Sequence, residues 1–151
     1  MIMKRLISLI TLLVCSVMLF TACGKESPKP IKDIITSAQS VKINGDTVDT
    51  VEASMGAFQG KQGDSIEFIF SEEQTFNTVF INEKTTAVRQ YNIYALVNGK
   101  YKLIHTGKHI TIENITIEPI TTTAVKLVIV NTEIGNDNFT IQGISLYNTE
   151  N

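Results

Sequence analysis

Apolar and polar residues alternate along most of the chain after residue 37, and this period of two predicts β-strands. In the stretch SIEFIF, for example, Ile66, Phe68 and Phe70 fall on one face of the predicted strand. The same alternation predicts further strands at residues 77–83, 91–97, 100–107, 111–117, 124–130 and 139–147.

Short local signals mark the turns between these strands. Asn98-Gly99 predicts a tight hairpin turn, because both residues tolerate positive φ. The apolar positions of the last strand change phase between Ile141 and Ile144, which predicts a β-bulge at Gln142-Gly143. One short helix is suggested at residues 31–37. Seven or eight strands without crossover helices predict an antiparallel sandwich or barrel.

The first 24 residues follow a different pattern. Lys4 and Arg5 form a short basic segment before the apolar run from Leu6 to Phe20, which is too short to span a bilayer but typical of a secretory signal. The following residues, Thr21-Ala22-Cys23-Gly24, resemble the lipobox of bacterial lipoproteins. This resemblance implies that Cys23 is acylated and becomes the first residue of the exported protein. An uncleaved signal anchor is the alternative.

These signals divide the chain into a lipoprotein signal peptide at residues 1–22, a lipidated tether at 23–36 and a folded domain at 37–151. The predicted location is the extracytoplasmic face of a bacterial cell membrane, with the lipid anchor as the membrane contact. Cys15 lies in the signal peptide, so Cys23 is the one thiol left after export and no disulfide is expected. The net charge of −2 argues against a nucleic-acid partner.

The order and spacing of several segments resemble the galactose-binding-like jelly roll of discoidin and coagulation-factor type C domains. Within this group, the order and spacing of the segments are most similar to those of family 32 carbohydrate-binding modules and of the C-terminal sandwich of bacterial fucosidases. The segments are TFN before a strand that ends in Glu83, VRQYNIYA with its Gly turn, HTGKHI, TTTAVKLVI and the closing IQGISLYN. They cover roughly residues 65–148.

This resemblance implies an all-β, antiparallel jelly-roll β-sandwich that acts as a non-catalytic binding module, with a glycan as the first ligand to consider. The alternative is a protein-interaction or assembly subunit that uses the same sandwich without a sugar site, with a cell-surface protein as its partner. Enzymatic activity is not predicted, because the exported part has no free catalytic thiol and no Gly-x-Ser-x-Gly motif.

Three residues are candidates for ligand binding. Sugars are bound by an aromatic face together with planar polar groups. Phe58 lies in the glycine-containing stretch SMGAFQGKQGD, which predicts exposure, and Glu83 and Arg89 flank the turn KTTA. A cross-strand ion pair between Glu83 and Arg89 is the structural alternative.

No cofactor is predicted, and calcium is the one ion that remains open. Asp46, Asp49 and Glu52 are weak candidates for a calcium site, because carboxylate oxygens are the ligands that this ion prefers. In the related domains the structural calcium is often completed by an acidic residue in the closing strand, and Gly143 occupies the matching position here.

Overall fold

The computed structural model describes residues 31–149, which contain eight strands and two short helical segments. The strands are β1 (Ala38–Ile43), β2 (Asp46–Val48), β3 (Phe58–Lys61), β4 (Ser65–Glu83), β5 (Val88–Val97), β6 (Lys100–Gly107), β7 (Ile112–Thr132) and β8 (Asn138–Tyr147). A 3₁₀ turn (Ile34–Ser37) precedes β1, and a one-turn helix, α1 (Val51–Ser54), follows β2. The predicted signal peptide, Cys23 and the tether up to residue 30 lie outside the described residues.

Two long strands fold the sheet over into a sandwich. All strand pairs are antiparallel, and one layer has the order β2-β1-β4-β7-β5-β6. The second layer runs β3-β8-β4-β7, because β4 also pairs with β8 and β8 pairs with β3. Strands β4 and β7 belong to both layers, and their mutual register shifts between Ile69 and Gln74 and again between Phe76 and Thr78. Such irregularities bend strands, so each long strand replaces two strands that the alternation predicted separately.

The inward faces of both layers form one hydrophobic core. Ile66, Phe68 and Phe70, which the alternation placed on one face, are all buried. Tyr91 is also fully buried, and its ring lies directly against the backbone of Gly107 on the neighbouring strand. A Cβ at position 107 would lie 2.1 Å from the Tyr91 ring, so the core depends on glycine there.

The packed domain begins before residue 37. Ile34 and Ile35 are buried, and the Asp33 carboxylate accepts hydrogen bonds from the backbone N–H of Ile35 and of Leu146, both at 3.1 Å. The last residues of the predicted tether are therefore part of the folded domain. The short helix suggested by the sequence is present as the 3₁₀ turn.

Both local turn predictions are confirmed. Asn98 and Gly99 have φ of 52° and 74°, as a tight hairpin requires. Asn82 pairs with Gly143 while Glu83 pairs with Ile141, so Gln142 is the extra residue of a β-bulge. Within residues 31–149, no helix has the length and apolar character needed to cross a bilayer.

Candidate functional site

The loops at one end of the sandwich converge far from the point where the described chain begins. Backbone hydrogen bonds join the loop at residues 84–87 to Glu133, to Thr140 and, through Glu83, to Thr111. Asp33 and Thr149 lie at the opposite end, where they contact Leu146 and Asn77. The group of loops at 84–87, 108–111 and 133–137 is called the distal end below.

Glu83 is a structural residue of the distal end. Its side chain is buried, with 4% of the residue exposed. Oε1 accepts hydrogen bonds from the Thr85 hydroxyl and the Ala87 backbone N–H, both at 2.6 Å, and the Val88 N–H also points at the carboxylate. The prediction that Glu83 contacts ligand is therefore not supported, because its carboxylate is buried and its hydrogen bonds close the 84–87 turn.

The predicted ion pair between Glu83 and Arg89 does not form. Arg89 instead pairs with Glu133 across 2.8 Å and donates to the Thr86 carbonyl at 2.7 Å. The Arg89 side chain remains partly exposed at the rim, and Ile134, which follows Glu133, is fully exposed. Arg89 thus lies where a ligand could reach it, but its guanidinium already has three partners, since it also donates to the Val88 carbonyl at 3.3 Å.

Phe58 belongs to the core rather than to a binding loop. It is 4% exposed and packs edge to face on Phe139, with ring centroids 5.1 Å apart. The sequence suggested a loop because of the neighbouring glycines, but Phe58 begins strand β3 and faces inward opposite Ile141.

The calcium candidates Asp46, Asp49 and Glu52 do not converge. Among residues 31–149, no group of three His, Cys, Asp or Glu side chains is arranged to hold a metal ion. Asp46 lies on β2 and Glu52 on α1, which are separate elements.

Two shallow grooves of mixed polar and apolar lining flank the pair β3–β8, with volumes of about 370 and 410 Å³. Gln59 and Thr140 line both grooves. The other polar residues that line them are Lys61, Asp64, Asn138, Glu52, Lys84 and Gln142. Asp64 is already engaged, since it accepts hydrogen bonds from the Lys61 backbone N–H and the Asn44 amide.

A larger groove of about 600 Å³ lies between β6 and residues 116–121 of β7. Both strands have an open edge on this side, since no further strand of the described chain pairs with them there. Leu103 is 49% exposed in this groove. The Nε2 atom of His105 is buried beside it without a hydrogen-bond partner in the described structure.

A separate polar surface covers the outward side of strands β4, β7, β5 and β6. In the described structure, Tyr101 is the one aromatic residue among the exposed large apolar side chains, at 38%. Its ring lies over the Lys126 ammonium at 4.4 Å, and its hydroxyl donates a hydrogen bond to Glu67. Lys126 also pairs with Glu67 across 3.4 Å. Lys126 and Glu67 therefore both restrain the Tyr101 side chain.

The Tyr101 hydroxyl is held in its protonated form. Partial burial, followed by the hydrogen bond to Glu67 and the charge of that carboxylate, raises the pKa of Tyr101 above its ordinary value. A tyrosine hydroxyl is protonated at neutral pH in any case, and the raised pKa keeps the Tyr101 hydroxyl a hydrogen-bond donor at alkaline pH as well.

Neighbouring side chains extend this polar surface. Lys126 lies opposite Tyr94 in the β5–β7 register. The Asn92 amide donates to the Tyr94 hydroxyl at 3.0 Å, and the Thr106 hydroxyl donates to Asn92 at 2.8 Å. The surface formed by Glu67, Lys126, Tyr101, Tyr94, Asn92 and Thr106 is called the Tyr101 face below.

Sequence reasoning did not single out the Tyr101 face. The chain has four tyrosines, all in segments with strand-like alternation, and none of them is among the ligand candidates from the sequence. The signal that could have identified it is local, because Lys100 and Lys102 flank Tyr101 directly after the Asn98-Gly99 turn. Lysines on both sides of an aromatic residue are typical of an exposed edge strand.

No protein-family profile and no curated protein matches the chain. Solved structures, in contrast, match the chain. The family 32 carbohydrate-binding module of NanJ from C. perfringens, in complex with galactose, is 14% identical at a TM-score of 0.62, over 78% of this chain and 98% of that chain. The family 32 module of EndoD from Streptococcus pneumoniae is 13% identical at a TM-score of 0.63, over 78% and 100%.

A third match is a protein from Bacteroides thetaiotaomicron assigned as an α-L-fucosidase. It is 26% identical with a TM-score of 0.54, over 62% of this chain but only 22% of that chain. The chain thus spans about a fifth of this enzyme and nearly all of each isolated module. The domain has the galactose-binding-like β-sandwich fold of these carbohydrate-binding modules, which confirms the predicted fold class.

Proposed function

We propose that this protein is a non-catalytic carbohydrate-binding module held by a lipid on the extracytoplasmic face of a bacterial membrane. One observation carries the binding role: the sandwich aligns with two isolated carbohydrate-binding modules over 98% and 100% of their lengths. The alignment with the fucosidase spans a module-sized part of a much longer enzyme. The shared unit therefore corresponds to a binding module and not to a whole enzyme.

The proposed lipid anchor is supported by the sequence before the domain. Cys23 follows the apolar segment in a Thr-Ala-Cys-Gly context, and the first buried residue of the domain is Ile34. The eleven steps between these residues reach at most about 35–40 Å when fully extended, so the anchor would keep the domain near the bilayer.

The anchor is tested by metabolic labelling with a radioactive fatty acid. The expected result is label on the wild-type protein and none on Cys23→Ser, with Cys15→Ser as the matched control that keeps its label. Mass spectrometry of the mature protein then separates lipidation from an uncleaved signal anchor, because only the lipoprotein lacks residues 1–22.

Carbohydrate binding is tested on a glycan array with the full chain in mild detergent. Specific retention of a defined group of glycans, with no hydrolysis of the retained glycan, is the expected result. A folded protein that retains no glycan on the array and no polysaccharide in affinity gels would overturn the proposal.

A protein-interaction subunit is the second candidate, and the groove beside β6 is the observation that favours it. Two open strand edges with the exposed Leu103 between them could accept an extended peptide as an added strand. This candidate predicts that Leu103→Asp abolishes chemical crosslinking to a cell-surface protein. Under the carbohydrate proposal, the wild-type protein retains glycan and forms no crosslink that depends on Leu103.

A further inference from the structure

We infer that the Tyr101 face binds an internal segment of an extended glycan chain. This inference rests on the proposed carbohydrate-binding function and deepens it by naming the site and the kind of ligand. The face lies on the outward side of β4, β7, β5 and β6. Its aromatic ring, Tyr101, follows the Asn98-Gly99 turn, at the opposite end of β5 and β6 from the loops at 84–87 and 108–111.

The first argument is the fixed aromatic ring. An aromatic face contributes to sugar binding through apolar contact with the ring hydrogens, and it contributes most when the ring loses little freedom on binding. The Tyr101 ring is already held by the Lys126 ammonium at 4.4 Å and by the hydrogen bond from its hydroxyl to Glu67. It is nevertheless 38% exposed, so its free side can accept a sugar without rearrangement.

The second argument is the set of hydrogen-bonding groups around the ring. Lys126 has three donors, so it retains capacity after its contact with Glu67 across 3.4 Å, and its side chain is 29% exposed. Asn92, Tyr94 and Thr106 form a chain of hydrogen bonds that orients their polar atoms along the same face. Donors and acceptors in fixed positions are what vicinal sugar hydroxyls require.

The third argument concerns the shape of the surface and indicates the kind of ligand. Glu67, Tyr101 and Lys126 line none of the three grooves described above, and four neighbouring strands of a sheet span about 14 Å. A surface that is open in both directions admits a polymer chain, whereas recognition of a terminal sugar requires a pocket that encloses the chain end. The Tyr101 face therefore fits the interior of a polysaccharide.

The distal end has fewer groups available for glycan binding than the Tyr101 face. The Arg89 guanidinium is shared by Glu133 and the Thr86 carbonyl, and Glu83 is buried. In the part of the chain that the structure describes, no aromatic side chain at that end is among the exposed large apolar residues.

The test is affinity electrophoresis of the full chain in native detergent gels that contain galactan, xylan or polygalacturonate. Tyr101→Ala should weaken retention by at least about tenfold, since truncation of an aromatic anchor typically has this effect. Tyr101→Phe keeps the ring and should retain most of the binding. Arg89→Ala serves as the matched control at the distal end and should bind as the wild type does.

Competition defines the kind of ligand. An oligosaccharide cut from the retained polysaccharide should displace the protein, while the corresponding monosaccharide at the same concentration should not. Displacement by the monosaccharide would overturn the assignment to chain interiors.

The possible results distinguish a failure of this inference from a failure of the proposed carbohydrate-binding function. If Arg89→Ala loses retention while a folded Tyr101→Ala variant keeps it, the inference is wrong and the carbohydrate-binding function stands. If the folded wild type binds no gel polysaccharide and no array glycan, the proposed function fails and the inference fails with it. Thermal unfolding of each variant establishes that the fold is retained.

Discussion

Glu83 accepts a hydrogen bond from the backbone N–H of Ala87 at 2.6 Å, and this contact closes the turn between strands β4 and β5. The Glu83 carboxylate accepts hydrogen bonds from the N–H groups of Ala87 and Val88, a role that a backbone carbonyl often has in a turn. Burial of Glu83 is therefore compensated by hydrogen bonds, as burial of a polar group requires. The residue that the sequence suggested as a ligand contact instead shapes the loop beside which Arg89 lies.

Replacement of Glu83 should test this structural role. Glu83→Ala leaves the Ala87 and Val88 N–H groups without an acceptor in a buried turn, and we expect a loss of about 2–3 kcal/mol in the free energy of unfolding. Urea denaturation measures this loss, and the exposed Glu72→Ala is the control. Unchanged stability combined with lost glycan binding would return Glu83 to the role of a ligand residue.

Truncation of Phe58 should affect stability and not ligand specificity. Phe58→Ala removes a ring that packs edge to face on Phe139, and core truncations of this kind cost about 3–5 kcal/mol. Met55→Ala, at an exposed position close in sequence, should change the free energy of unfolding by less than about 0.5 kcal/mol. A near-native unfolding midpoint for Phe58→Ala would contradict its placement in the core.

Substitution by alanine should destabilise the protein strongly at one glycine and only slightly at another. Gly107→Ala would place a methyl group 2.1 Å from the Tyr91 ring, and overpacking of this kind costs about 1–3 kcal/mol or more. Gly143→Ala meets only the Met55 carbonyl at 3.6 Å, so it should fold with little loss. Thermal unfolding of the two variants side by side measures the difference, and equal midpoints would contradict the contact at Gly107.

Alkaline pH should destabilise the protein through Tyr91. Burial, followed by the hydrogen bond to Glu113 and the charge of that carboxylate, raises the pKa of Tyr91 above its ordinary value. The folded state therefore keeps a proton that the unfolded state releases above about pH 10, so this contribution is complete below that pH and is lost as pH rises beyond it.

The slope from Tyr91 alone should reach about 1.4 kcal/mol per pH unit, measured by urea denaturation between about pH 8 and pH 11. Tyr91→Phe should flatten this slope, although it also removes the hydrogen bond to Glu113. The raised pKa of Tyr101 should also lower the free energy of unfolding at alkaline pH. Its effect should be smaller than that of Tyr91, because Tyr101 is partly exposed to solvent. A pH profile identical in wild type and Tyr91→Phe would contradict the assignment to Tyr91.

The alternation of apolar residues was sufficient to predict strands β4 to β8 and their core face, because period two is a local property of the sequence, but it did not predict the short strands β1, β2 and β3. Ile66, Phe68 and Phe70 illustrate this success. The phase change before Ile144 likewise located the bulge, since an extra residue must reverse the alternation.

The candidate site was harder to predict, because it depends on contacts between distant residues. Arg89 pairs with Glu133, which lies 44 positions away, while the nearby Glu83 turns inward to its own loop. Tyr101 reaches Glu67 across two intervening strands, a relationship that only the strand order reveals. Sequence spacing indicated which residues were near each other along the chain, but the fold selected other partners.

The hydrogen bond between Asp33 and Leu146 brings the start and the finish of the described chain side by side. A domain built in this way can be spliced into a host polypeptide at a single point, because the flanking segments enter and leave together and need not be stretched across the fold. Grafting residues 31–149 into a surface loop of an unrelated secreted protein should therefore leave both partners folded. Because its two ends are adjacent, the domain is suited to function as a module, either alone or within a larger polypeptide.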